Sequence, residues 1–167
     1  YENYQQPPVW DFQVFWLNGR VADQGLNFYK PENYRKLAET LKPDDAFTQE
    51  ILNVGFWYPP MTMFLFALLG RLDISTAYLV WQISILITSA VCVFELWGLL
   101  PKEKKILSLL LVSVLMFRLS PAHTTFHGSQ TNFIVLLFFL IFWRNRSKDW
   151  SGIWLAFAVI VKPYMAL

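Results

Sequence analysis

Apolar and polar positions alternate with helical spacing in the first part of the chain and give way to long apolar runs in the second. Trp10, Val14, Leu17 and Val21 fall four, three and four residues apart, one stripe of a helix running from Asp11 to about Gln24. Asp11, Asn18 and Ala22 lie on a different side, with Phe15 between, and Gly25 is placed to end the helix. Asn27-Phe28-Tyr29-Lys30-Pro31 reads as a turn, residues 33–41 as a short helix, and Pro43-Asp44-Asp45 as the start of another reaching about Asn53. The aromatic stretch Gly55 to Pro60, holding Phe56, Trp57 and Tyr58, leads into the apolar run Met61–Leu69. At nine residues, about 13 Å as a helix, that run is too short to cross a bilayer and is expected to lie at the outer interface.

From Ile74 onward the polar positions thin out. Residues 74–100 hold one acid, Glu95, and no base, over roughly 40 Å of helix, which covers a hydrocarbon core of about 30 Å. Pro101 stops the run, and Lys102, Glu103, Lys104 and Lys105 follow. Three further apolar stretches are read as spans over residues 106–122, 127–143 and 150–167, the middle two short and dependent on flanking polar residues or burial in a bundle. The expected fold is therefore all-α: an extracytoplasmic loop of amphipathic and interfacial helices over residues 1–73, then a polytopic membrane bundle over residues 74–167. The chain opens at Tyr1 without an initiator Met and closes inside an apolar run, so we expect a partial chain.

Composition supports the membrane reading. Hydrophobic residues make up 55%, aromatic residues 18% and charged residues only 16% of 167 residues, against about 25% charged in ordinary soluble domains. The net charge is +2, too small for nucleic-acid binding through a broad basic surface. Charge is unevenly spread: residues 1–73 carry 6 Lys/Arg and 9 Asp/Glu, residues 74–167 carry 8 and 3. The basic joints 101–105 and 144–149 belong on the cytoplasmic side, which places residues 1–73 and 120–130 on the extracytoplasmic side. Trp57, Trp97, Trp143 and Trp150 sit near the resulting interfaces. Cys92 is the one cysteine, so no intrachain disulfide or cysteine-rich metal site exists.

Few residues carry chemistry. The chain has no Gly-rich phosphate loop, no His-Glu-x-x-His and no nucleophile elbow. His123 and His127 stand four apart in the run Pro121 to Asn132; two ligands make a weak metal site, Pro121 and Gly128 argue for a loop, and no metal or other cofactor is expected. Gln130 and Asn132, in the same run, are placed either to bind a polar substrate group or to satisfy buried backbone. Lys162 lies 12 residues beyond Trp150, near 18 Å along its run, where an ammonium snorkels, pairs or faces a polar cavity. A phosphate near the outer leaflet and a partner on another span fit it equally. Arg118, near the outer end of its run, suits an anion or the head groups, and Glu95 reads as structural.

The order of motifs is similar to that of the family 87 membrane glycosyltransferases. Asp11-Phe12-x-Val14-Phe15, Gly19-Arg20 and Asn27-Phe28-Tyr29-x-Pro31 resemble that family's opening. Tyr58-Pro59-Pro60 before an apolar helix, Gly128-Ser129-Gln130-Thr131-Asn132 before a Leu/Phe-rich run, and Trp150-Ser151-Gly152 through Val161-Lys162-Pro163 continue the likeness. Two features depart from it: Ser129 is inserted where the family often reads Gly-Gln-x-Asn, and Lys162-Pro163 is tighter than Lys-x-x-Pro. The resemblance implies a C-type fold of roughly ten or more spans, of which this chain would hold the first outer loop and about four spans, the remainder of the chain being a partner. It implies a polyprenyl-phosphate sugar as donor, a glycolipid or glycan as acceptor, and the lipid bilayer as setting. Asp11 would then be the catalytic base of an inverting transfer, most readily of mannose. Lys162, Arg118, His123 and His127 would face the leaving phosphate, with Gln130 and Asn132 on phosphate or sugar hydroxyls. Tyr58, with Trp57 and Phe15, would stack on the sugar or line the lipid path.

Two readings from other classes stand beside this one. A transporter or flippase half would use Lys162 as an intramembrane substrate or ion site. A non-catalytic membrane subunit would leave Asp11 as a helix cap or first-turn acid, favoured there by free N–H groups and the helix dipole.

Overall fold

In the computed structural model, residues 10–41, 59–100, 105–118 and 120–162 are described, and every regular element among them is helical. They are α1 (Trp10–Asp23), α2 (Pro31–Leu41), a 3-10 turn (Pro60–Thr62) continued by α3 (Met63–Gly70), α4 (Ile74–Gly98), α5 (Lys105–Arg118), α6 (Ser120–Gly128), α7 (Asn132–Arg144), and a second 3-10 turn (Asp149–Ser151) continued by α8 (Gly152–Val161). The helix expected from Pro43 to Asn53 lies outside the described residues. The chain divides into two compact units, Tyr1–Trp81 and Gln82–Leu167.

The first unit is organised by α1 and α3. Helix α1 ends as its sequence predicts: Gly25 takes φ +70, its N–H donates to Ala22 O at 2.9 Å, and the Leu26 N–H donates to Val21 O at 3.1 Å. This pairs carbonyls that would otherwise be left unbonded at the helix end. Leu17 and Val21 of the predicted stripe are buried, but burial spreads round the helix to Phe12, Phe15 and Trp16 and takes in the polar Gln13 and Asn18. The stripe was too narrow because three aromatics off it are also covered. Gly19 and Gly70 let the two backbones touch: a Cβ on Gly19 would clash with the Phe66 carbonyl, and one on Gly70 with the Arg20 amide.

Aromatic stacking fixes the same pair of helices to the start of α4. Phe15 stacks on Phe66 with centroids 4.5 Å apart, and Trp81 meets both, at 6.3 Å and 5.5 Å. Phe12 sets its edge against Tyr78. Burying each such ring contributes about 1.5–3 kcal/mol where the alternative is water. Trp16 Nε1 donates to Leu72 O at 3.0 Å, and Arg71 pairs with Asp23 at 2.6 Å. The opposite side of the α3 segment stays uncovered at Met61, Phe64, Leu65 and Leu68.

Helix α4 begins at Asp73, whose Oδ1 accepts the Thr76 N–H at 3.0 Å. Hydrogen bonds from the Thr76 side chain and then its backbone hold the Asp73 carboxyl below the usual carboxylate range. At 25 residues, α4 is the one helix among the described residues that is long and apolar enough to cross a membrane. The shorter apolar helices Ile106–Arg118, Asn132–Arg144 and Asp149–Val161 do not reach that length. Of the four spans expected from sequence, the one at α4 is matched by a helix of membrane-crossing length among the described residues, all of whose regular elements are α or 3-10 helices.

In the second unit, three side-chain links occur in the same order along α4 and the segment leading through α7. Gln82 Nε2 donates to Ser129 Oγ at 2.8 Å, the Cys92 thiol to Phe133 O at 3.4 Å, and Arg144 Nη1 to Glu95 at 2.8 and 3.0 Å. The two helices therefore run in the same direction. Helices α7 and α8 pack against each other as a hairpin, with Phe138 between Trp154 and Phe157.

Two expectations are corrected here. The loop expected around His123 and His127 is helix α6. Pro121 lies in its first turn, where a missing N–H breaks no helical bond, and Gly128 stands at its last position, so both residues read as breakers are terminators of a helix. The apolar run from Trp150 is not helical through to Leu167: α8 ends at Val161, and Lys162 is extended at φ −138, ψ 97. Pro163 accounts for this, because its ring excludes the helical conformation from the residue before it.

Candidate functional site

A polar cluster in the second unit joins three pieces of chain. Lys162 follows the last residue of α8 and is buried to 6% exposure. Its Nζ donates to Asn132 Oδ1 at 2.5 Å. Asn132, the first residue of α7, turns its amide nitrogen the other way and donates to Thr125 Oγ1 and Gln130 Oε1, each at 2.9 Å. The orientation of that amide is thereby set: oxygen toward the ammonium, nitrogen toward two acceptors. Thr125 belongs to α6.

The elbow that delivers these groups has an unusual residue at its centre. Helix α6 ends with Ser129 at φ +52 and the Gln130 N–H bonded to Thr125 O at 3.1 Å, the same closure that Gly25 makes after α1. Serine in this left-handed region carries a steric cost that glycine avoids. Ser129 is fully buried and receives the hydrogen bond from Gln82, which secures it. Next to it, Thr131 stands at the start of α7 with 1% exposure, and its hydroxyl has no hydrogen-bond partner among the described residues. An orphaned buried hydroxyl is uncommon and marks a place where polar groups are not yet matched.

The residues singled out from sequence are distributed as follows. Lys162, Asn132 and Gln130 come together. Asp11 lies in the first turn of α1, in the first unit, half-buried. Arg118 is the last residue of α5 and is exposed. His127 is exposed on α6. His123 is also on α6, though its side chain lies outside the described residues, as does Tyr58. No cluster of three His, Cys, Asp or Glu side chains that would hold a metal exists among the described residues. Glu95, read as structural, forms the ion pair with Arg144.

Sequence reasoning missed Thr125, Thr131, Ser129 and Gln82 as members of this region. Gln82 had a signal: it is the one amide side chain in the apolar run 74–98, and such a group finds a partner when removed from water. Ser129 had one too, as an insertion in the Gly-Gln-x-Asn pattern.

Among the described residues, an all-α architecture with one membrane-length helix and a buried lysine held in an amide and hydroxyl network defines a class of membrane-associated helical protein with a polar internal site. The comparison with known families then places it: the chain belongs to glycosyltransferase family 87, whose profile matches residues 56–167. That membership makes it a glycosyltransferase, in preference to the transporter and the non-catalytic subunit. No curated protein and no solved structure matches the chain.

Proposed function

We propose that this chain is part of an enzyme that transfers a glycosyl group, mannose foremost, from a polyprenyl phosphate to an acceptor hydroxyl at the extracytoplasmic face. The observation that carries the reading is family membership over residues 56–167. Asp11 takes the acceptor proton as the hydroxyl oxygen attacks the anomeric carbon from the face opposite the phosphate. The bond from that carbon to the phosphate oxygen breaks, the polyprenyl phosphate leaves, and the configuration inverts. A positioned base contributes about 10²–10⁴-fold to such a step.

Negative charge grows on the leaving phosphate, so fixed donors there stabilise the transition state. Lys162 fits this role because its ammonium is buried and oriented through Asn132, and Gln130 continues the line of polar groups. Arg118, His123 and His127 supply further positive charge or donors on the extracytoplasmic side, and Tyr58 stacks on the sugar. The acceptor is a glycolipid or glycan. The reaction needs no cofactor, since basic side chains neutralise the phosphate.

The membrane arrangement belongs to the same proposal. Residues 1–73 and 120–130 are extracytoplasmic and residues 101–105 and 144–149 cytoplasmic, with a bundle of four spans in this chain. The common direction of α4 and α7 supports this topology, because an odd number of crossings, here the one span that holds α5, must separate helices that cross a bilayer the same way. Helices α5, α7 and α8, each about 15–21 Å long, cross with flanking residues or buried in a larger bundle.

The test uses the full-length protein in membranes supplied with radiolabelled polyprenyl-phosphate mannose. Wild type is expected to label the acceptor, and Asp11→Asn to lose about 10²–10⁴-fold of the rate at equal expression. Undiminished transfer by Asp11→Asn would remove Asp11 from the chemistry.

A further inference from the structure

The turn between α7 and α8 carries a constellation that sugar transfer does not use. Arg144 is engaged with Glu95. Arg146 is held differently: its Nη1 donates to Trp143 O at 2.9 Å, closing the end of α7, while its guanidinium carbon lies 4.8 Å from the centre of the Trp143 ring. Lys148 repeats the arrangement, with Nζ 5.1 Å from the centre of the Trp150 ring. Both indoles face outward, 45% and 51% exposed.

This turn is firmly built. Asn145 Nδ2 donates to Ile141 O at 2.9 Å, the Lys148 N–H to Asn145 O at 2.8 Å, and the Ser151 N–H to Lys148 O at 3.0 Å. The cations therefore ride on a fixed frame. The one carboxylate of the turn, Asp149, pairs with neither of them among the described residues. Four of the five guanidinium N–H donors of Arg146 stay available after its bond to Trp143. Next to Trp143 along α7, Phe139 stacks at 6.3 Å and is 38% exposed, so an apolar ladder descends from the cationic end.

We infer that this turn docks an anionic phospholipid. The headgroup phosphate meets Arg146 and Lys148, and an acyl chain lies along Trp143 and Phe139. Indole rings alone favour any membrane interface and do not discriminate between headgroups. The two cations add a preference for negative lipid, about fivefold in local enrichment for each near the surface. Nothing in this inference depends on glycosyl transfer.

The test reconstitutes the full-length protein in phosphatidylcholine vesicles containing phosphatidylglycerol. Brominated acyl chains are placed on one lipid or the other at equal mole fraction, and tryptophan fluorescence is read. Brominated phosphatidylglycerol is expected to quench more strongly than brominated phosphatidylcholine, and the excess to shrink as salt is raised. The excess should disappear in Trp143→Phe/Trp150→Phe and fall by about an order of magnitude in Arg146→Gln/Lys148→Gln. Equal quenching by the two lipids in wild type overturns the inference without any variant having to fold. So does an excess that survives either pair of substitutions.

Discussion

The α1–α3 pair and the polar cluster at Lys162 both bring distant parts of the chain together, by opposite means. Gly19 and Gly70, far apart in sequence, meet because neither has a side chain, so the join is made of backbone surface and the rings around it. Lys162 and Asn132 meet through side chains that specify direction as well as distance. The first join tolerates no added atom and is indifferent to charge. The second tolerates changes of volume but not a change in which atom donates. Shape therefore stabilises the first unit, while the second holds its polar groups in an arrangement that chemistry can use.

Substitutions should separate the two. Lys162→Met should cut glycosyl transfer by about 10²–10³-fold, the effect of losing one preorganised donor at a developing charge, while thermal unfolding of the purified protein moves comparatively little. An unfolding loss as large as the activity loss would make Lys162 a structural lysine. Gly19→Ala should do the reverse. It forces apart two backbones already in contact and should destabilise the fold by about 1–3 kcal/mol, visible as a lowered melting temperature with the chemistry unchanged in the fraction that remains folded. The smallest effect is expected at Ser129. Ser129→Ala keeps the left-handed strain and loses the bond from Gln82, a loss of about 1 kcal/mol. Ser129→Gly loses the same bond but relieves the strain, so it should be the more stable of the two. The reverse order in thermal unfolding would show that no strain resides at this turn.

The helices were largely visible in the sequence. Helix α1 was legible from its spacing and Gly25, and α4 from an apolar run that starts at Ile74 and is stopped by Pro101. The errors concern residues with two meanings. Pro121 breaks a helix in its interior and starts one at its first turn, and only the surrounding structure decides which. Pro163 acts backward on Lys162, so a uniformly apolar run concealed a break. The candidate site was legible residue by residue but not as an assembly. Lys162 stood out by its charge and Asn132 by its motif, yet their contact spans 30 positions of chain, and no periodicity reports a pairing of that kind. The glycine contact was hidden for the same reason: a missing side chain leaves no pattern to read.

The break at Lys162 also bears on how the chain is solvated. Where α8 stops, the backbone no longer satisfies its own amides and carbonyls in a continuous helix. Hydrocarbon offers no replacement partners, so irregular backbone at membrane depth persists only when wrapped by protein or facing a water-filled recess. If α8 crosses a bilayer as proposed, the extended backbone at Lys162 is a place that acyl chains cannot contact. Under that proposal, the extended backbone there would form a seam of water or protein inside the membrane, through which a charged phosphate would enter without first shedding all its hydration.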